Sequence, residues 1–84
     1  FPNPFNPTTT LAYSIRDASH VSLTIYDVAG RQVRQLVNEP RERGAYNVVW
    51  DGRNDTGTTV SSGVYLYKLV AGSFTDTKKM TFLK

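Results

Sequence analysis

Residues 21–26 read Val21-Ser22-Leu23-Thr24-Ile25-Tyr26. Apolar Val21, Leu23 and Ile25 alternate with Ser22, Thr24 and Tyr26, and a period of two predicts a half-buried β-strand. The same period extends outward. Before it, Leu11, Tyr13 and Ile15 alternate with Ala12 and Ser14 and predict a strand over 8–15, with Asp17-Ala18-Ser19 as the turn between the two. After it, Ala29-Gly30 supplies a turn, and residues 31–37 return as a hairpin partner carrying Val33 and Leu36 or Val37, with a bulge to absorb the uneven spacing.

Polar Asn38 to Arg43, which contains Pro40 and charges of both signs, reads as a solvated loop ending at Gly44. Tyr46, Val48 and Trp50 alternate with Asn47 and Val49, which places Trp50 at the centre of the core. Turn formers fill Asp51 to Gly57, followed by a short edge at Thr58-Thr59-Val60 and a turn at Ser61-Ser62-Gly63. Val64 to Val70 is apolar on both faces except at Lys68 and predicts a central strand. Ala71-Gly72-Ser73 then turns into a last strand carrying Phe74, Met80, Phe82 and Leu83. Its polar middle, Thr75 to Lys79, suits an exposed sheet edge.

Six or seven short strands without a helical period make an all-β antiparallel sandwich the expected fold. Its expected core is Leu11, Val21, Leu23, Ile25, Val48, Trp50, Leu69, Met80 and Phe82.

At 84 residues the chain is expected to form one domain, 1–84, with 1–7 as an extended Pro-rich leading segment, since three of the four prolines fall there. Hydrophobic residues make up 39% and charged residues 20%, a balance that favours an ordered core over a tail. With no cysteine, neither disulfides nor thiolate chemistry is available. The net charge of +3 is spread along the chain and argues against nucleic acid as a partner. No window approaches the 18 apolar residues of a membrane span, and no basic, apolar export signal opens the chain. The absence of an initial Met predicts that the segment belongs to something longer.

Chemistry-bearing residues are few. His20 is the single histidine; a nucleophilic pair with Ser19 or Ser22 competes with a plain turn position, and no third group supports it, so no catalytic residue is expected. Asp51, Asn54 and Asp55 offer oxygen ligands for Ca²⁺ or, without a metal, the acceptors of Asx turns; no metal or other cofactor is expected. Arg31, Arg34, Arg41 and Arg43 are candidates for phosphate or acidic sugar, with Tyr26 or Tyr67 to stack on a ring, against solvated arginines beside Glu39 and Glu42. Tyr13, Tyr26, Tyr46, Tyr65 and Tyr67 with Trp50 suit a sugar-binding platform or, more simply, a small domain's core. The last strand is an edge on which a partner strand can be added.

Several motifs in order carry a resemblance: Pro2-Asn3-Pro4-Phe5, Ile25-Tyr26-Asp27-Val28-Ala29-Gly30 followed by Val33, Trp50-Asp51-Gly52, Asn54-Asp55-Thr56-Gly57, Ser62-Gly63-Val64-Tyr65-Leu66-Tyr67 and Lys78-Lys79-Met80. Over essentially its whole length the chain resembles a type A C-terminal sorting domain of the type IX secretion system. It also resembles the immunoglobulin-like domain of the flagellar hook-capping protein. The resemblance implies an immunoglobulin-like sandwich of about seven strands without catalytic activity. The sorting domain implies the type IX translocon and sortase machinery as partners, a covalently attached upstream cargo domain, and a secreted or cell-surface location reached through the periplasm and outer membrane of a Gram-negative-type bacterium. It also implies recognition through Pro2, Asn3, Pro4, Phe5, Gly30, Gly63, Val64, Tyr65, Lys78, Lys79 and Lys84. Two other roles are open: a carbohydrate-binding or spacer module of an extracellular hydrolase, motivated by the tyrosines, and a module that packs on its neighbour and stabilises it.

Overall fold

A computed structural model describes residues 7–84. Six strands run β1 (Thr9–Ile15), β2 (Ser19–Tyr26), β3 (Gln32–Arg41), β4 (Gly44–Trp50), β5 (Gly63–Ala71) and β6 (Phe74–Phe82). All pairing is antiparallel: β1 with β4 in a two-stranded sheet, and β3-β2-β5-β6 in a four-stranded one.

The period-two strands bury alternate residues as their pleat requires. Leu11 and Ile15 of β1 and Trp50 of β4 meet Val21, Leu23 and Ile25 of β2, Val37 of β3, Tyr65, Leu69 and Ala71 of β5, and Phe82 of β6 in one core. Val48 and Met80 are half-buried and pack against it. Trp50 is fully buried at the centre, 4.9 Å from the Phe82 ring centroid and 5.3 Å from that of Tyr65. Its indole N–H is not stranded, because it donates to the Arg53 carbonyl at 2.9 Å.

Two sequence expectations need correction. Asn38 to Arg41 is not a loop: it continues β3 opposite Ser19 to Ser22. It is polar because β3 is an edge strand, the one sheet position where Pro40 costs no ladder bond. The Thr58-Thr59-Val60 edge shrinks to a single bridge, Arg53 to Thr59, leaving six strands rather than seven. Phe74 and Leu83 lie outside the core, 54% and 70% exposed, at the two ends of the last segment.

The uneven spacing in β3 comes from two register shifts. Leu23 faces Val37 but Thr24 faces Gln35, and Ile25 faces Arg34 but Tyr26 faces Gln32. The residues skipped, Leu36 and Val33, both pack against the core, so each bulge turns one more apolar side chain inward.

Candidate functional site

The β2–β3 turn is built on Asp27. Its Oδ1 accepts the backbone N–H groups of Ala29 and Arg31, and its Oδ2 accepts the Arg31 Nε–H at 3.0 Å. The Arg31 amide, with desolvation opposing and the guanidinium assisting, holds the Asp27 carboxyl below its usual 3.8. Gly30, with φ +89°, completes the turn.

The loop from Asp51 to Ser62 uses its polar residues in the same way. Asp51 Oδ1 accepts from the Arg53 amide and from Arg34. Asn54 Oδ1 accepts from the Thr56 and Thr58 amides and the Thr56 hydroxyl. Asp55 reaches across to β3: its Oδ1 accepts the Gln35 amide at 3.0 Å, its Oδ2 accepts from the Gln32 side chain, and its own amide donates to the Val33 carbonyl. The bond from the Gln35 amide, followed by that from Gln32, lowers the Asp55 carboxyl below its usual value. The three oxygen-bearing residues offered for Ca²⁺ are therefore engaged in turn and edge contacts. Among the described residues no group of three or more His, Cys, Asp or Glu could hold a metal.

The remaining candidates disperse. His20 Nε2 lies 2.6 Å from Asn38 Oδ1 on an exposed pair of strands, with no hydroxyl aligned to it among the described hydrogen bonds. Arg31 pairs with Asp27, Arg34 with Asp51, and Arg41 with Glu39. Arg41 also lies 5.2 Å above the Tyr46 ring, which stacks on Tyr13 at 5.3 Å, so this column ties the end of β3 to the two-stranded sheet. Burial pushes the Tyr13 phenol above its usual 10.0, with Arg41 opposing.

The tyrosines do not form one platform. Tyr65 is buried, its O–H donating to the Ser61 carbonyl at 2.7 Å. Tyr26 lies on the sheet face opposite to Val21, Leu23 and Ile25. Tyr13, Tyr46 and Tyr67 line a cleft of about 370 Å³ between the sheets, together with Phe74, Asp76 and Lys78 of β6.

The residues expected to act in recognition are also spread. Pro2, Asn3, Pro4 and Phe5 lie outside the described residues. Gly63 begins β5 opposite Phe82. Val64 is 41% exposed on the outer face of the four-stranded sheet, whereas its neighbour Tyr65 is buried. Lys78, opposite Tyr67, faces the cleft, and Lys79, opposite Leu66, faces outward, so the strand period separates the two lysines. The Lys84 amide donates to Ser62 Oγ. Among the described residues the site is thus a surface made of turns, a cleft between the sheets and the edge of β6.

The family model described as the FlgD Ig-like domain matches residues 6–74. The chain belongs to the FlgD Ig-like domain family. The basal-body rod modification proteins FlgD of Salmonella typhimurium and Salmonella typhi are each 38% identical to it over 56 residues, which are 67% of this chain and 24% of theirs. The chain spans about a quarter of the length of these curated relatives. Two solved structures share the fold. FlgD from Pseudomonas aeruginosa has a TM-score of 0.71 at 22% identity, over 90% of this chain and 60% of its own. FlgD from Xanthomonas campestris, a structure described for hook capping in flagellar assembly, has a TM-score of 0.70 at 20% identity, over 92% and 56%.

Membership in the FlgD Ig-like family, a structural domain, makes the chain a non-enzyme. It also overturns what rested on the sorting-domain half of the resemblance. The type IX translocon and sortase as partners, the carried cargo and the secreted or surface location by that route all give way to the FlgD Ig-like domain match. The carbohydrate-binding alternative falls to the same match. Asp-Val-Ala-Gly and Ser-Gly-Val-Tyr are turn and strand-start chemistry that more than one sandwich family can use, so they mark the fold and do not separate its families.

Proposed function

We propose that this chain is the immunoglobulin-like module of a flagellar hook-capping or rod-modification protein, acting as a non-catalytic structural piece of the assembly. The observation that carries this reading is the family match across residues 6–74, supported by the two curated FlgD relatives. Its chemistry is in keeping: polar side chains spent on turns and edges make a stiff body that presents surfaces to neighbours. In the same reading the module is one domain over 1–84, and Gly30, Gly63 and Tyr65 serve turn geometry and packing. Val64, Lys78, Lys79 and Lys84 are surface residues open to neighbouring subunits.

Antibody raised against the 84-residue chain tests it on hook–basal-body preparations from the organism that carries the gene. Gold label at the distal end of growing hooks is the expected result. Hooks that stay unlabelled, from cells in which the protein is detected by immunoblot, would refute the reading.

A further inference from the structure

The two edges of the four-stranded sheet are treated differently. On β3, two bulges break the register, Pro40 removes a donor, and Asp55 occupies the Gln35 amide and Val33 carbonyl. These are devices that stop an edge from pairing. β6 has none of them. Its nine residues pair with β5 in unbroken register from Phe74 to Phe82, and among the described residues no other strand pairs with it.

Which backbone groups β6 leaves open follows from its hairpin. Gly72 has φ +61° and Ser73 does not have a positive φ, the pattern of a two-residue type II′ turn that closes on the Ala71–Phe74 pair. In such a ladder Phe74, Asp76, Lys78 and Met80 bond to β5, while Thr75, Thr77, Lys79 and Thr81 aim their N–H and C=O groups at the open edge. The cleft-side row, Phe74-Asp76-Lys78-Met80, carries an acid and a base that make no ion pair among the described residues. It also carries Phe74, the one exposed aromatic among them.

This row is complementary to itself. We infer that β6 pairs antiparallel with β6 of a second copy of this chain about a two-fold axis through Thr77, joining two sheets into one of eight strands. In that register Thr77 faces its own copy and Thr75 faces Lys79 as hydrogen-bonded pairs. Asp76 faces Lys78 twice, in the non-hydrogen-bonded positions where side chains approach most closely. Phe74 meets Met80 at either end, covering exposed apolar surface. Lys78 then excludes arbitrary strands, which leave its charge unpaired, and admits the one that brings an aspartate opposite. These observations stand apart from the hook-capping reading, and the test uses the chain alone.

Sedimentation equilibrium of the 84-residue chain over a dilution series is expected to show a monomer–dimer equilibrium. Asp76→Lys or Lys78→Asp places like charges opposite and weakens the dimer by roughly tenfold or more. The double variant Asp76→Lys, Lys78→Asp restores it. Circular dichroism verifies that each variant is folded. Register is read separately: the chain has no cysteine, so Thr77→Cys, with Cα atoms about 5.5 Å apart across the axis, gives a disulfide-linked dimer on mild oxidation and Thr75→Cys does not. A wild-type chain that stays monomeric throughout, single variants that dimerise like wild type, or a folded double variant that stays monomeric would each overturn the inference.

Discussion

At Gly52 a single absent methyl group sets the packing of two distant segments. A Cβ built there would stand 2.2 Å from Phe82 Cζ, and the backbone holds φ +75°, which side-chain-bearing residues avoid. Gly52→Ala is therefore expected to lower stability by about 3 kcal/mol, from overpacking plus the left-handed backbone; the loss is read from urea unfolding. Asp27 and Asp55 act through charge. Both carboxyls titrate below the usual Asp value in the fold, so the unfolded chain takes up protons first. Their stabilisation is fully present above the ordinary Asp range, is lost as pH falls through it, and is gone below the depressed values. Unfolding followed from about pH 5 to about pH 2 should show that loss, and Asp55→Asn, which keeps an acceptor for the Gln35 amide without a titrating group, should flatten it. Neither role was visible in the sequence. Trp50-Asp51-Gly52 and Asn54-Asp55 read correctly as turn chemistry, but Phe82 lies thirty residues from Gly52 and Gln35 twenty from Asp55, and local spacing carries no information about such partners.

Among the elements, legibility follows burial. β2 is central and faces the core with Val21, Leu23 and Ile25, so its sequence alternates clearly although Thr24 on the opposite face is also buried, and β1 and β4 carry the same alternation. β3 is an edge whose bulges shift its inward residues, and its polar second half resembles a loop because solvent covers it. The weight each position carries is measurable. Leu23→Ala, at a site 1% exposed, is expected to cost about 3 kcal/mol. Val28→Ala, 73% exposed in the β2–β3 turn, should change stability by no more than about 0.5 kcal/mol. Equal losses in urea titrations would contradict the placement of β2 at the core.

For the molecule as a whole, β1 must find β4 and β2 must find β5 before either sheet exists. Such non-local pairing predicts refolding in the millisecond-to-second range, observed by stopped-flow circular dichroism; a microsecond phase carrying the full amplitude would not fit this topology. The sandwich class was readable because it is the sum of many local alternations. The family was less so, because the motifs that carry the resemblance encode turns that more than one sandwich family needs. The surface offered for pairing was only half readable: the edge character of the last strand follows from its polarity, but that Lys78 and Lys79 part to opposite faces, and that β3 is guarded by bulges and a proline while β6 carries only charges, required the ladder itself.

Trp50 is the only tryptophan in the chain, fully buried, with its N–H held by Arg53 and its ring between Tyr65 and Phe82. It touches at once the two-stranded sheet, the four-stranded sheet and the loop joining them. Its emission is therefore an intrinsic optical gauge of the whole sandwich: a blue-shifted spectrum signals that both sheets and the loop are seated, and any separation of them turns the colour toward that of indole in water.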